Sequence, residues 1–207
     1  MPLRLYAATT NTGKLRDFRT AAQAYSIVIK PLPGLKTIPA PNEDGDSFAA
    51  NAALKAIYYS RFAPGTLVLA DDSGLEVDAL NGAPGVHSAR FAIDEGLVAS
   101  SASSHEIDLV NNELLLKRMA GIASTRRTAR YRCVLVAVRD GVVCHQAEGA
   151  VEGLILEAAR GTGGFGYDPL FYLPKLKKTM AEINLETKLT LSHRGRAFAA
   201  LLPLLAA

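Results

Sequence analysis

An α/β fold with a mixed sheet is what this sequence predicts, and three observations carry that prediction. Apolar, strand-like runs at residues 3–8 and 67–70 alternate with segments whose apolar residues recur at helical spacing, the pattern of units that build a parallel sheet. Residues 128–139 and 142–150 are two strand-like runs separated only by Asp140-Gly141, a dipeptide that closes two-residue hairpins, so part of the sheet is antiparallel. The chain has 207 residues, 49% of them hydrophobic and 21% charged, which suits one domain, or one domain with two lobes, around a full core.

The elements follow in order. A first strand at 3–8 leads through the polar loop of Thr9, Thr10, Asn11, Thr12, Gly13 and Lys14 into a helix, with Leu15, Phe18, Ala22 and Tyr25 on one stripe. A short strand covers 26–30. Pro31, Pro33, Pro39 and Pro41 then exclude a helix before Asp46. Asp46 or Ser47 caps a helix running to about Arg61, with Phe48, Ala52, Ala56 and Tyr59 inward. Pro64-Gly65 turns the chain into the strand at 67–70. Residues 91–104 are small, polar and without pattern, and read as a mobile loop. A helix from about Ser104 to Met119 points Ile107, Val110, Leu114 and Leu115 inward and stops at Gly121. After the hairpin come a glycine-rich loop at 161–169, an apolar run at 170–173 and a capped helix from Ser192 to the end.

Charge and termini narrow the function classes. A net charge of +3 does not demand a nucleic-acid partner; Arg126, Arg127, Arg130 and Arg132 form a local basic cluster that a solvated edge strand explains equally well. The first residues run straight into a strand pattern without a signal-peptide core, and the apolar end after Ala197 is too short to span a bilayer and contains Pro203. In the expected hairpin register Cys144 faces Ala137, not Cys133, so no disulfide is expected and a reducing cytoplasm fits.

Four stretches carry chemistry. The strand at 67–70 ends in Asp71 and Asp72, then Ser73-Gly74. Open α/β sheets place ligands at strand carboxyl ends, so an acidic pair there suits a divalent cation; as a polar turn, the same residues would carry no chemistry. Gly13-Lys14 resembles the end of a Walker loop, yet no glycine lies five positions earlier and Leu15 replaces the magnesium-binding hydroxyl. What survives is a lysine at a helix N-terminus, which favours phosphate. Gly161, Gly163 and Gly166 match the dinucleotide fingerprint in spacing, but Tyr167-Asp168-Pro169 and a strand-like run follow where a long helix is required. Such a loop suits a base instead: its glycines admit backbone, Phe165 stacks, and Asp168 reads polar edges. Lys188, His193 and Arg194 near a helix start oppose the dipole, which a shared anion would resolve; exposed cations also tolerate a few tenths of a kcal/mol of such mismatch, and His193 alone reads as structural.

The blocks Thr9-Thr-Asn-Thr-Gly-Lys14, Ser47-Phe-Ala-Ala-Asn-Ala-Ala-Leu-Lys-Ala56, Ala70-Asp-Asp-Ser-Gly-Leu75, Gly82-Ala-Pro-Gly-Val-His-Ser-Ala-Arg90, Gly161-Thr-Gly-Gly-Phe-Gly-Tyr-Asp-Pro169 and Ser192-His-Arg-Gly-Arg-Ala197 occur in this order. Together they resemble the inosine-triphosphate pyrophosphatase family, whose members clear non-standard purine nucleotides from the pool. The resemblance covers almost the whole chain as a single catalytic domain. It implies hydrolysis of ITP, dITP and XTP to monophosphate and pyrophosphate, with Mg²⁺ as cofactor. It also implies a two-lobed fold around an elongated mixed sheet with helices on its faces, an active site in the inter-lobe cleft, and a cytoplasmic homodimer without a stable nucleic-acid or membrane partner.

Carried over by position, Thr9 to Lys14 resemble the triphosphate-binding segment, with Lys14 on phosphate oxygens; this chain has Thr10 where the family usually has glycine. Glu43 matches a metal ligand, Lys55 a further phosphate contact, Asp72 the proton acceptor and metal ligand, and Ser73 a substrate contact. Phe165, Gly166, Tyr167 and Asp168 match the base-binding loop, and Lys188, His193 and Arg194 the remaining substrate contacts. Nothing is carried over at 91–104.

The chemistry implied is attack by water on the α-phosphorus, with the triphosphate charge met by Lys14, Lys188 and Mg²⁺. A metal-bound carboxylate is a poorer base, so either Asp71 and Asp72 divide the roles or the metal acidifies the water. A 6-keto purine offers an O6 acceptor and an N1–H donor, the reverse of adenine; rejecting guanine needs a donor facing position 2, from Arg194 or a loop N–H. Two other readings are a pyrophosphatase for modified pyrimidine nucleotides and a non-catalytic nucleotide- or nucleic-acid-binding module using the basic hairpin, the latter with salt-sensitive binding and no need of Asp72.

Overall fold

A computed structural model describes residues 3–206. In chain order these form β1 (Arg4–Ala7), α1 (Thr12–Ala22), β2 (Val28–Pro31), α2 (Phe48–Ser60), β3 (Leu67–Val77), α3 (Phe91–Asp94), α4 (Ser104–Arg118), β4 (Thr128–Arg139), β5 (Val142–Ile155), β6 (Phe171–Leu173), β7 (Lys178–Thr179), α5 (Leu185–Leu191) and α6 (His193–Ala206). The strands lie in the order β2-β1-β3-β4-β5-β6-β7. β1 pairs in parallel with β2 and β3, while β6 pairs antiparallel with β5 and β7, so the expected mixed α/β sheet is present. Asp140 and Gly141 both take positive φ, 50° and 81°, the requirement of the hairpin turn their sequence predicts.

The chain divides into two compact units. The first holds Met1–Ser73, Cys133–Ala150 and Leu189–Ala207. Its core joins Leu5, Ile29 and Leu69 of the parallel strands to Leu135 of β4, Phe18 of α1 and Phe198 of α6, whose rings lie 4.6 Å apart. Burying such a set against water is the main stabilising term of the unit. Ser47 caps α2 through its hydroxyl, and Phe48, Ala52, Ala56 and Tyr59 are buried as expected. The second unit holds Gly74–Arg132 and Val151–Lys188. Its core gathers Leu75, Leu115, Met119, Tyr131, Ile155, Tyr167 and Phe171. The buried Arg127 guanidinium donates to the carbonyls of Met119, Ile122, Ile155 and Leu156, placing a cation where the last carbonyls of α4 favour one.

Several expectations shift. β3 does not stop at Ala70; it runs to Val77, so Asp71, Asp72 and Ser73 are strand residues and not a turn. Carboxylates normally end a buried strand, but cations packed against these two allow it to continue. α1 ends at Ala22, a 3₁₀ turn follows, and Tyr25 is exposed, so it leaves the inward stripe. Residues 91–104 are not patternless loop throughout. They open with α3, where Ala92 N–H donates to the buried Asn111 side chain at 2.8 Å. The tail contains two helices, which puts Lys188 in the last turn of α5, where the dipole favours it, and not at a helix start. Among the described residues no helix is long and apolar enough to cross a membrane, and Cys133 and Cys144 are both free.

Candidate active site

The first unit assembles its polar groups around β3. Neighbouring residues of a strand face opposite sides, so Asp71 and Asp72 meet different surroundings. Asp71 is 2% exposed and lies 2.8 Å from Lys14 Nζ; the Ser73 hydroxyl donates to it at 3.4 Å, and Arg194 Nε stands 3.9 Å away. Burial alone would raise its pKa, but Lys14, Arg194 and Lys55 outweigh that and hold it at about 2. Asp72 faces Lys55, whose ammonium lies 3.9 Å from Asp72 Oδ1, 2.8 Å from Glu43 Oε2 and 3.0 Å from the Asp71 carbonyl. Burial dominates at Asp72; Glu43 and Asp71 add to it, Lys55 opposes it, and the pKa rises to about 6. Asp72 Oδ2 is buried without a hydrogen-bond partner. Two adjacent carboxylates thus have opposite character: one a settled ion, the other a poised acceptor.

Around this pair the predicted residues gather. Thr9 Oγ1 accepts from Asn11 N–H, and the Asn11 side chain caps α1 by accepting from Lys14 N–H. Thr12, Gly13 and Lys14 therefore form the first turn of α1, which holds no acidic residue and presents N–H groups to an anion. Thr10 is exposed beside them. Arg194, buried in the first turn of α6, donates to Asp17 at 3.4 Å and to the Ser73 hydroxyl at 3.2 Å. His193 is buried next to it. A side chain on Gly149 would meet the His193 carbonyl, and one on Gly195 the Leu189 carbonyl, so these glycines permit the close approach that seats the start of α6.

The second unit carries the loop of residues 161–169. Lys188 and Asp168 form a short ion pair, Phe165 N–H donates to the same carboxylate oxygen at 3.0 Å, and Lys188 Nζ lies 5.2 Å from the centre of the 38%-exposed Phe165 ring. Lys188 thus stands with the loop residues Phe165 and Asp168. Gly164 must be glycine: its φ is +79° and a Cβ would collide with Asp168. Tyr167 is buried and donates its hydroxyl to the Ser88 carbonyl at 2.8 Å. Sequence reasoning missed Asp17, which meets Arg194, and the helix α4 residues Asp108 and Asn112, which meet Gly166. Two polar residues one helical turn apart, with a buried asparagine between apolar positions, were the available signal.

Among the described residues no three His, Cys, Asp or Glu side chains form a ready cation cage. Magnesium needs no such cage, since it is commonly held by one or two carboxylates together with substrate phosphates. Glu43 and Asp72 supply oxygen donors, Asp72 Oδ2 is an orphaned acceptor, and the Lys55 ammonium already places positive charge between the two carboxylates. The donor set fits.

The model of the Ham1 family matches residues 5–204. A protein of Acidobacterium capsulatum named dITP/XTP pyrophosphatase is 60% identical over 202 residues, 98% of this chain and 98% of its own. One of Thermus thermophilus with the same name is 43% identical over 97% of this chain and 90% of its own. Among solved structures, a HAM1 protein from Coxiella burnetii matches at a TM-score of 0.83 and 32% identity, covering 98% of both chains. The Staphylococcus aureus Ham1 protein matches at 0.81 and 36%, covering 98% of this chain and 97% of its own.

Proposed function

The chain belongs to the Ham1 family, and from that premise we propose that it hydrolyses the non-standard purine nucleoside triphosphates ITP, dITP and XTP to monophosphate and pyrophosphate. The observation that carries this reading is the unequal acidic pair. Water attacks the α-phosphorus, the bond to the bridging oxygen breaks, and pyrophosphate leaves with that oxygen. The proton lost by water passes to Asp72, whose buried Oδ2 has no hydrogen-bond partner and can accept it. Asp71, tied to Lys14 and held at about 2, is too weak a base for that task and serves to anchor the lysine.

The α1 N-terminus with Thr9, Thr10, Asn11, Thr12, Gly13 and Lys14, together with Lys55, Ser73, His193 and Arg194, is assigned to the triphosphate. Glu43 and Asp72 are the residues to hold Mg²⁺, which when bound neutralises phosphate charge and favours ionisation of water. Phe165, Gly166, Tyr167, Asp168 and Lys188 are assigned to the base. The match over residues 5–204 supports reading the whole chain as one catalytic domain. A cytoplasmic homodimer is part of the same proposal, and sedimentation of the purified protein tests the dimer. The basic hairpin gives a nucleic-acid module little support: Arg130 is paired with Asp78 and Glu152, Arg132 with Glu76, and Arg127 is buried.

Pyrophosphate release from ITP, XTP, dITP, GTP and ATP, with and without Mg²⁺, tests the activity. Turnover of the first three at least about tenfold above GTP and ATP, and only with the ion, is expected. Release without discrimination among the five, or none from any, would overturn the reading.

A further inference from the structure

Resting on the purine-triphosphate reading above, we propose that Asp108 and Asn112, one turn apart on α4, are positioning residues that pin the two peptide groups of Gly166 and thereby set discrimination between bases.

Gly166 N–H donates to Asp108 Oδ2 at 2.8 Å, and Gly166 C=O accepts from Asn112 Nδ2 at 2.9 Å. These groups belong to successive peptide planes, one shared with Phe165 and one with Tyr167. Because each plane is rigid, a directional hydrogen bond to each restricts the rotation of both. Gly166 is thereby held at φ +62°, in the left-handed region, where a glycine on its own would sample freely. The spacing accounts for the pairing: residues four apart on a helix share a face, and here one supplies an acceptor and the other a donor to a single residue.

The neighbours reinforce the clamp. The adjacent Asn111 is buried, accepting from Ala92 N–H and donating to the Ser88 carbonyl, which also receives the Tyr167 hydroxyl. On the other side, Phe165 N–H is held by Asp168. Asn112 spends its amide hydrogens on the carbonyls of Asp108 and Gly166, at 2.7 and 2.9 Å, and its own buried oxygen has no partner. A buried acceptor left unpaired is costly, so this arrangement favours the Gly166 contact over the amide's own satisfaction. The stacking ring of Phe165 and the Tyr167 N–H, which points away from α4 across the shared peptide plane, take their direction from this anchor. A base edge distinguished by one donor or acceptor requires a backbone that does not rotate.

The test compares Asp108→Ala, Asn112→Ala and the conservative Asp108→Asn, which keeps an acceptor for Gly166 N–H. For the alanine variants the ITP-to-GTP ratio of kcat/KM falls about tenfold through a raised KM for ITP, with kcat within about threefold of wild type, and Asp108→Asn restores most of the ratio. Amide hydrogen exchange at residues 163–168 quickens about tenfold in Asp108→Ala, while exchange in α2 is unchanged. An unaltered ratio with active, folded variants overturns the proposal while leaving the activity intact. If the wild-type chain releases no pyrophosphate from any nucleotide, the activity reading fails instead. The clamp is then judged by exchange alone, and unchanged loop exchange in Asp108→Ala overturns it.

Discussion

The acidic stretch of β3 and the glycine loop at residues 161–169 hold reactive groups in opposite ways. On β3 the backbone is regular, fixed by the ladder, and the functional difference lies in side chains: Asp71 and Asp72 are sorted by which cations reach them. In the loop the backbone itself is presented, three of its glycines take positive φ, and the side chains of Asp108, Asn112 and Asp168, with the Ser88 carbonyl that receives the Tyr167 hydroxyl, hold it still. Charge must be placed without moving during the reaction, which suits a strand. A flat base must be approached closely, which suits glycine backbone with external bracing. Changes on the strand should therefore strike turnover and electrostatic stability, and changes in the loop should strike selectivity.

The largest effect is expected from Asp72→Asn. Turnover should fall by about 10³ or more, since the poised acceptor is lost. In Mg²⁺-free buffer the same change should stabilise the protein by about 1–3 kcal/mol at pH 7–8, because it removes a carboxylate whose ionisation the fold opposes. The sign follows from the shift. Below about pH 4 the carboxyl is protonated in both folded and unfolded chains, and the variant gains nothing. Between about 4 and 6 only the unfolded chain ionises, so wild-type stability declines, and above about 6 the cost is constant. Asp71 acts in the other direction: its stabilisation is present above about pH 4 and is lost as pH falls toward 2. Thermal melts of both proteins from pH 3 to 8 check this; a melting difference independent of pH would refute the assignment of Asp72 as the strained group.

Lys14→Met comes next. It leaves Asp71 buried with only the more distant Arg194 and Lys55 as compensation, and should destabilise by about 2–4 kcal/mol. With the proposed phosphate contact also gone, kcat/KM should drop about 100-fold. Denaturant unfolding and steady-state kinetics measure the two losses. A variant that lost activity but not stability would show that Lys14 serves substrate alone.

How much of this could be read beforehand depends on how local each signal is. The Asp140-Gly141 hairpin is written in two adjacent residues, and the Ser47 cap in four, because the conformations they require are local. The length of β3 was not readable, because the charges that would end it if unpaired are neutralised by Lys14, Lys55 and Arg194, distant in sequence. The same distance concealed the division of labour between Asp71 and Asp72. Asp108 and Asn112 look like an ordinary solvated helix face until Gly166, more than fifty positions later, is placed against them. β7, two residues long, carries no pattern to read.

Gly195→Ala probes the strand-side group without touching its charges. Its methyl would fall inside the Leu189 carbonyl, where backbone rather than a flexible side chain must give way, so a loss of about 2–4 kcal/mol is expected, with displacement of His193 and Arg194. Heat denaturation reads the loss, and a rise in KM alongside the fall in kcat separates displacement from simple dilution of folded enzyme. Unchanged stability would mean that α5 and α6 yield more readily than their packing implies.

Gly166→Ala is the counterpart on the loop side and should be the mildest change. Nothing lies within 4 Å of the added carbon, so there is no collision, only the strain of a left-handed conformation. That strain is worth about 1–2 kcal/mol for an ordinary residue. Both bonds to α4 use backbone atoms and survive the substitution. Part of the strain is offset because alanine narrows the unfolded ensemble relative to glycine, leaving a net loss of about 1 kcal/mol. The methyl stands in open space, so under the proposed assignment of this loop a bound base is what it would meet. KM for ITP should rise several-fold with kcat nearly unchanged, in contrast to Gly195→Ala, where kcat falls as well. If Gly166→Ala instead cost as much stability as Gly195→Ala, the loop would be a packed structural element in its own right, and the contrast between a charge-bearing strand and a braced, open loop would collapse.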